Sequence, residues 1–415
     1  MNPPWDEPLA EALEQQRQAG LLRCLIAVAA ADARTLQLEG RFLVNFGSND
    51  YLGLARHPAL QEAALRAIRD WGTGSTASRL ICGSLALHHE LEECLAAFKG
   101  TEAALTFATG HAAAMGTIPA LVGKDDFILL DRLAHACLVD AARASGAHVR
   151  VFRHNDVADL ERLLRWADHQ RTAAAVGPRR PRILIVTESV FSMDGDRAPL
   201  RQIVDLKDRH GAWLFVDEAH ATGLIGPGGS GCIAEAGLTA RVEIHMGTLG
   251  KALGSAGGFI AGSRRLIEWL VQRARTFMFS TAPPPAQVAA ARAAVELVQG
   301  NEGQQLRDRL WQNVRSAAAT LAERGVVPAA TARAPASAIL PWVVGDNETA
   351  LACAAAARQA GLFIPAVRYP AVGRKAARLR ITISAAHEPR DIERLRTLVM
   401  DLQQRFGLSN SRASS

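Results

Sequence analysis

Asp217 closes an unbroken apolar run, Trp213-Leu-Phe-Val216, and is followed by Glu218-Ala219-His220. An acid at the mouth of a buried strand loses its water unless it meets a cation. Lys251 follows 34 residues later, inside Gly247-Thr248-Leu249-Gly250-Lys251-Ala252-Leu253-Gly254. Small neighbours there let a flat ligand approach the backbone, and burial lowers a lysine's pKa toward that of an imine-forming nucleophile. The alternative is an exposed loop lysine. Against it, the chain has only five lysines, and Lys99, Lys124, Lys207 and Lys375 all sit beside helix ends or polar turns. The stretch superficially resembles a nucleotide P-loop, but only two residues separate Gly247 from Gly250-Lys251 and no Ser or Thr follows the lysine. Metal binding by Asp217 and His220 lacks a third ligand nearby, so no metal is expected.

Upstream, Thr109-Gly110-His111 follows an apolar run at Ala103–Phe107 and opens a helical pattern. Free backbone N–H groups and the positive end of the helix dipole would hold a phosphate there, although a plain strand-to-helix turn reads the same way. A strand-end acid, a histidine three residues on, a lysine in a Gly/Ala turn and a Gly-opened helix suit one cofactor. Pyridoxal 5'-phosphate (PLP) needs an amine for its aldehyde, a carboxylate for its ring nitrogen and a helix N-terminus for its phosphate.

These residues need strands to carry them. Apolar runs at Ala103–Phe107, Phe127–Leu130, Val149–Phe152, Ile183–Thr187, Trp213–Val216, Glu243–Met246 and Gly257–Ala261 read as strands buried on both faces. Helical patterns at Gly110–Leu121, Leu133–Ala144, Asp156–Ala167 and Leu200–Arg209 alternate with them. That rhythm predicts an α/β fold, a mostly parallel sheet flanked by helices on both faces. Pro283-Pro284-Pro285 marks a stop. Beyond it, helices at Gln304–Arg324, Glu348–Ala360 and Arg390–Phe406 and short strands at Ala338–Val344 and Arg378–Ile383 predict a smaller C-terminal α+β domain. The expected division is an N-terminal arm at 1–45 (helix plus a short strand), a large domain at 46–285 and a small one at 286–415, with Ser409–Ser415 frayed.

Composition agrees with a soluble two-domain chain. Its 415 residues are 49% hydrophobic and 21% charged, ordinary globular usage. The longest apolar stretch near the N-terminus, Leu25 to Ala31, is far short of a membrane span. Met1-Asn-Pro-Pro-Trp-Asp-Glu lacks the features of a signal peptide, so a cytoplasmic location and no membrane are expected. The six cysteines never form a C-x-x-C pair. The excess of 47 Lys+Arg over 41 Asp+Glu is dispersed, its densest run being Arg179-Arg180-Pro181-Arg182. Nucleic acid is therefore not expected as a partner, and an anionic small-molecule substrate accounts for the excess equally well.

Over nearly its whole length the sequence resembles the α-oxoamine synthases, fold-type-I PLP enzymes that condense an amino acid with an acyl thioester. The matching stretches are Asn45–Leu54, Gly72–Gly83, Leu129–Asp140, Val186–Pro199, Val216–Gly226, Gly247–Gly258 and Arg378–His387. The resemblance implies that Lys251 binds the cofactor covalently and later moves the Cα proton. It implies that Asp217 pairs with the ring nitrogen, that His220 bonds the ring oxygen and that His135 stacks on the ring and donates to the reacting carbonyl. A helix-capping histidine is the alternative for His135. Ser192 and Thr248 would contact ring oxygen and phosphate beside the backbone of Gly110 and His111. Thr281 aligns with a segment reaching the neighbouring subunit's phosphate, which implies a homodimer with a shared site. Arg380 would grip the amino-acid carboxylate, assisted by Asn49.

Within the family the fit is best to members of biotin biosynthesis that join L-alanine to a pimeloyl group on coenzyme A or a carrier protein. Arg23 aligns with the arm residue that meets the far carboxylate of that chain; a solvated helix arginine is its alternative. Glycine-acetyl and longer-chain acyl condensations stay open, with Arg23 as the discriminator. A non-catalytic partner subunit of the same fold is disfavoured, because such chains lose the lysine. Three stretches depart from the family pattern: His111 stands where an aromatic residue is usual, Thr76-Ala77 stands at the usual pair of small residues, and Ala371 in Arg368-Tyr-Pro-Ala-Val-Gly373 lacks a hydroxyl expected at substrate. These bear on acyl specificity and leave the cofactor residues intact.

Overall fold

The structure is a computed structural model and describes residues 5–173 and 180–408. The tail expected to fray, Ser409–Ser415, and Arg179 of the basic run lie outside the described residues. The chain forms two compact units. One gathers the chain up to Ser48 with the chain from Trp311 onward; the other is Asn49–Leu310.

In the first unit, a helix at Glu7–Gln18 buries none of its residues. Strands β1 (Ala30–Ala31), β2 (Thr35–Leu38) and β3 (Arg41–Asn45) follow as an antiparallel ribbon. The arm thus holds three strands where one short strand was expected. Period-two burial along β2 places Leu36 and Leu38 against Leu43, with Phe363 packed on them.

The second unit holds β4 (Ala103–Phe107), β5 (Phe127–Asp131), β6 (His148–Phe152), β7 (Ile183–Glu188), β8 (Trp213–Asp217), β9 (Ile244–Thr248) and β10 (Gly258–Gly262). They form one seven-stranded sheet in the order β4-β10-β9-β8-β7-β5-β6. All pairs from β6 to β9 are parallel, and β10 runs antiparallel to both its neighbours. Every residue of β5, β7 and β10 is buried, as continuous apolar runs require when helices cover both faces. Helices Gly110–Leu121, Ala136–Ala144, Val157–Ala173 and Leu200–His210 supply the cover. The helix expected from Leu133 starts at Ala136, because Asp131 holds the preceding residues in a turn: Leu133 N–H donates to its Oδ1 at 2.8 Å and Ala134 N–H to its carbonyl at 3.1 Å.

The first unit is completed by β11 (Ile339–Gly345), β12 (Leu362–Phe363), β13 (Ala366–Val367) and β14 (Ala377–Thr382), with helices Asn347–Gln359 and Pro389–Phe406. Strand β14 lies between β11 and β13, and β12 joins β3 in parallel. The α+β character expected of the C-terminal region is present.

Candidate active site

In an open parallel sheet, ligands bind outside the carboxyl ends of the strands. The chemistry-bearing residues of the second unit collect there because β7 and β8 are apolar until their last residue or two and β9 runs into the Gly/Ala-rich turn of Lys251. Asp217 ends β8 and is 4% exposed. Burial raises its pKa, and the neighbouring positive charge of Lys251 opposes the rise. Its Oδ1 accepts the Ala219 N–H at 2.8 Å. One strand over, Glu188 ends β7 directly opposite Asp217 in the register. Burial, then the Asp217 charge, hold the Glu188 carboxyl well above the ordinary glutamate value. Two buried carboxyl groups thus stand side by side at this end of the sheet, each favouring the protonated form of the other.

Lys251 stands in the turn after β9, half-buried and close enough to Asp217, Glu188 and His135 to shift all three. The turn closes when Gly254 N–H donates to the Lys251 carbonyl at 2.9 Å. Gly254 has φ +60°, and a Cβ there would meet the Ala55 backbone nitrogen at 2.5 Å, so only glycine fits.

His135 is the N-cap of Ala136–Ala144. Its Nδ1 accepts the Cys137 N–H at 3.3 Å and lies 3.0 Å from Cys137 Sγ. Burial pushes the Cys137 thiol up to about 12, so the sulfur keeps its proton and can donate it to Nδ1. Burial likewise lowers the pKa of His135, against the pull of Asp217. The ring is therefore neutral near pH 7 with its proton on Nε2, a hydrogen-bond donor. The His135 backbone N–H donates to Glu188 Oε1 at 2.6 Å. His135 is thus a helix cap, with its ring close enough to Asp217 and Lys251 to feel both charges.

His220 is buried, and its Nδ1 lies 2.6 Å from the Tyr51 hydroxyl, with the two rings edge to face at 6.1 Å. Tyr51 also reaches Asn49, donating to its Oδ1 at 3.3 Å. Ser192 is buried in the loop after β7. Thr281 is exposed and forms an isolated β-bridge with Ser78.

The first turn of Gly110–Leu121 meets the end of β9. Thr109 caps that helix, accepting the Ala112 N–H at 3.0 Å, and His111 is exposed on its first turn. A Cβ on Gly110 would lie 2.6 Å from Thr248 Cγ2, and one on Gly258 would lie 2.6 Å from Gly110 Cα. Thr248 Oγ1 is buried with no hydrogen-bond partner among the described residues.

Arg380, Arg23 and Ala371 belong to the other unit. Arg380 is buried on β14; its Nη1 donates to Thr382 Oγ1 at 3.0 Å. Arg23 is exposed and lies after the arm helix rather than on it. Arg368 ties its segment down, donating to the Gly20 carbonyl and to the Leu22 carbonyl at 2.6 Å. Ala371, exposed, donates its N–H to the Arg368 carbonyl at 2.9 Å.

Sequence reasoning missed Glu188 and Tyr51. Glu188 carries nearly the same signal as Asp217, an acid ending a buried strand that is apolar up to Thr187. Tyr51 carries none, because its partner is 169 residues away. A cavity of about 650 Å³ lined by Leu121, Arg182, Trp213, Ile244 and Trp269 lies at the opposite ends of β8 and β9 and holds none of these residues. Among the described residues, no group of three His, Cys, Asp or Glu is placed to bind a metal ion, and no helix is long and apolar enough to cross a membrane.

Residues 42–398 match the model of the aminotransferase class I and II family. The chain is 44% identical over 400 residues to an 8-amino-7-oxononanoate synthase of Geobacter sulfurreducens, covering 96% of this chain and 99% of the relative. The chain belongs to the aminotransferase class I and II family, as an α-oxoamine synthase. An 8-amino-7-oxononanoate synthase of Anaeromyxobacter dehalogenans is 46% identical over 94% of this chain and 93% of its own. Among solved structures, the serine palmitoyltransferase of Sphingomonas wittichii superposes with a TM-score of 0.86 at 31% identity, covering 97% of this chain and 98% of that one. The 8-amino-7-oxononanoate synthase of Francisella tularensis, at 23% identity and a TM-score of 0.71 over 88% of this chain and 99% of that one, shares the fold.

The cofactor of this fold-type-I family is PLP. The residues present fit it. Thr248 Oγ1 is an unused buried donor beside a helix start that leaves no room for a Cβ at Gly110, which suits a phosphate. The buried Asp217 carboxyl suits a protonated ring nitrogen.

Proposed function

We propose that this chain is an 8-amino-7-oxononanoate synthase, condensing L-alanine with a pimeloyl thioester to give 8-amino-7-oxononanoate, CO2 and the free thiol in biotin biosynthesis. Near-full-length identity of 41–46% to relatives of that name carries the reading. PLP, when bound, supplies an electron sink for the pair left at the amino-acid Cα.

The protein's own residues do the rest. Lys251 Nζ holds the cofactor and, once freed from it, takes the alanine Cα proton. Asp217, desolvated and fixed by the Ala219 N–H, keeps a proton on the ring nitrogen. His220, its Nδ1 paired with Tyr51, presents Nε2 to the ring oxygen. Neutral His135 offers Nε2–H to the thioester carbonyl oxygen as charge builds there, and its Glu188-bound backbone fixes that donor. Arg380 receives the alanine carboxylate, with Asn49 assisting. A bond forms from the alanine Cα to the thioester carbonyl carbon, the C–S bond breaks, and the departing thiolate takes a proton. The carboxylate then leaves as CO2, and its bonding pair is protonated at Cα.

Arg23 supplies the cation for the distal carboxylate of a pimeloyl chain, and Arg368 fixes the backbone on which it sits. The reading places the enzyme in the cytoplasm as a homodimer, with Thr281 reaching the partner's site. A second reading, condensation with a longer acyl chain, is favoured by the serine palmitoyltransferase superposition and by the missing hydroxyl at Ala371. Assays of alanine, glycine and serine against pimeloyl, acetyl and palmitoyl thioesters, each on coenzyme A and on acyl carrier protein, decide between them. Highest kcat/KM with alanine and a pimeloyl thioester supports the proposal; highest kcat/KM with palmitoyl refutes it.

A further inference from the structure

His154 lies two residues beyond β6, on a segment outside the cofactor site. Its two ring nitrogens reach acids from two different segments, the end of β5 and the loop after β7: Nδ1 lies 2.9 Å from Asp131 Oδ1 and Nε2 2.8 Å from Asp196 Oδ2. Asn155, with φ +54°, completes the junction. Its N–H donates to Asp131 Oδ2 at 3.0 Å, and its side-chain amide donates to Asp196 Oδ2 at 2.8 Å and to the Arg197 carbonyl at 3.2 Å. The edge of Phe191 closes the ring in at 4.4 Å.

The two acids are not free to move. Asp131 ends β5, is buried, and its Oδ1 accepts the Leu133 N–H that starts the turn into His135, four residues on. Asp196 closes the loop after β7: its carbonyl accepts the Phe191 N–H at 3.0 Å, next to Ser192. The arginines beside the junction turn to other acids, Arg153 to Asp156 at 2.8 Å and Arg197 to Glu235 at 2.7 Å. Two carboxylates therefore converge on one imidazole, and a neutral imidazole, with a single N–H, cannot donate to both. Burial alone would lower the His154 pKa, but the hydrogen bonds and charges of the two acids outweigh it and raise it to about 10. The ring is a cation at neutral pH.

We infer that His154 is a positioning residue: shared between Asp131 and Asp196, it holds the loop that presents His135 against the loop that presents Ser192. One cation outside the reacting centre thereby sets the spacing of two groups on the cofactor. The inference rests on the reading of Lys251, Asp217 and His135 as the PLP site.

The test compares holoenzymes carrying His154→Gln, Asp196→Asn and both. Glutamine keeps the volume and can donate through one amide, so it loses the second acid. Expected are faster PLP release, an altered visible circular dichroism band of the bound cofactor, and a fall of about tenfold or more in kcat per bound PLP. The double variant is expected to lose little beyond either single change. If His154→Gln does not fold, Asp196→Asn decides, since that side chain is partly exposed. A lowered melting temperature with PLP release, dichroism and kcat per bound PLP as in the wild type would show a purely structural bridge and overturn the inference. Fully additive losses would overturn it too. A wild-type protein that forms no PLP band would refute the cofactor reading and this inference with it, whereas a wild-type band left untouched by the variants refutes His154's role alone.

Discussion

Glu188 and Asp217 face each other across β7 and β8, two buried carboxyl groups at the same level of one sheet. Only one of them contacts the site directly in the proposed reaction. Glu188 accepts the His135 backbone N–H, and its raised pKa allows it to carry its own proton, leaving the negative charge to Asp217.

Glu188→Gln should therefore be mild. The amide oxygen still accepts the His135 N–H, and PLP affinity and kcat should stay within about threefold of the wild type, a difference under 1 kcal/mol. Glu188→Leu leaves that N–H unsatisfied and should cost about 1–3 kcal/mol of stability, with a larger loss of kcat. Urea melts and steady-state kinetics of both variants check this; equal losses in the two would show that the negative charge of Glu188 matters.

Arg23→Leu separates substrates by their far end. Loss of one exposed charge-assisted contact should raise KM for a pimeloyl thioester about tenfold, or about 1.4 kcal/mol, and leave KM for an acetyl thioester unchanged. An equal rise for both would mean that Arg23 acts on the thiol carrier or on the arm itself.

Acid should unfold the protein through two buried histidines, one in each unit. Burial holds His245 and His387 at about 4, against 6.5 for an exposed histidine. Each contributes stability that is present above about pH 6.5 and is lost as pH falls toward 4, because the unfolded chain takes up the proton first. The loss is roughly 3 kcal/mol per site. His245 is buried, so His245→Leu removes the titrating ring and leaves an apolar side chain in its place. Thermal melts from pH 7 to 5 should show a shallower acid limb for that variant; an unchanged limb contradicts the assignment.

Much of the site was legible because the physics that makes it is local. Asp217 ends an apolar run, Lys251 stands in a turn of small residues, and Gly110 opens a helix after a strand; each is a short-range pattern. Glu188 was equally legible by the Asp217 rule and lay inside a matching motif. Tyr51 and His154 were not, because their meaning lies in partners brought from elsewhere: His220 is 169 residues from Tyr51, and Asp196 is 42 from His154. The parallel sheet was legible from continuous apolar runs. The arm ribbon was not, because β1 has two residues and β3 finds its parallel partner β12 in the distant C-terminal segment.

Lys251 carries the central claim, and its covalent bond to the cofactor can be read directly. Protein loaded with PLP, reduced with borohydride, digested and mapped should yield a single pyridoxyl-modified peptide containing Lys251. Lys251→Ala should fold with a wild-type melt, take no label there and lose turnover. Label on another lysine, no label at all, or full turnover in Lys251→Ala would contradict the account.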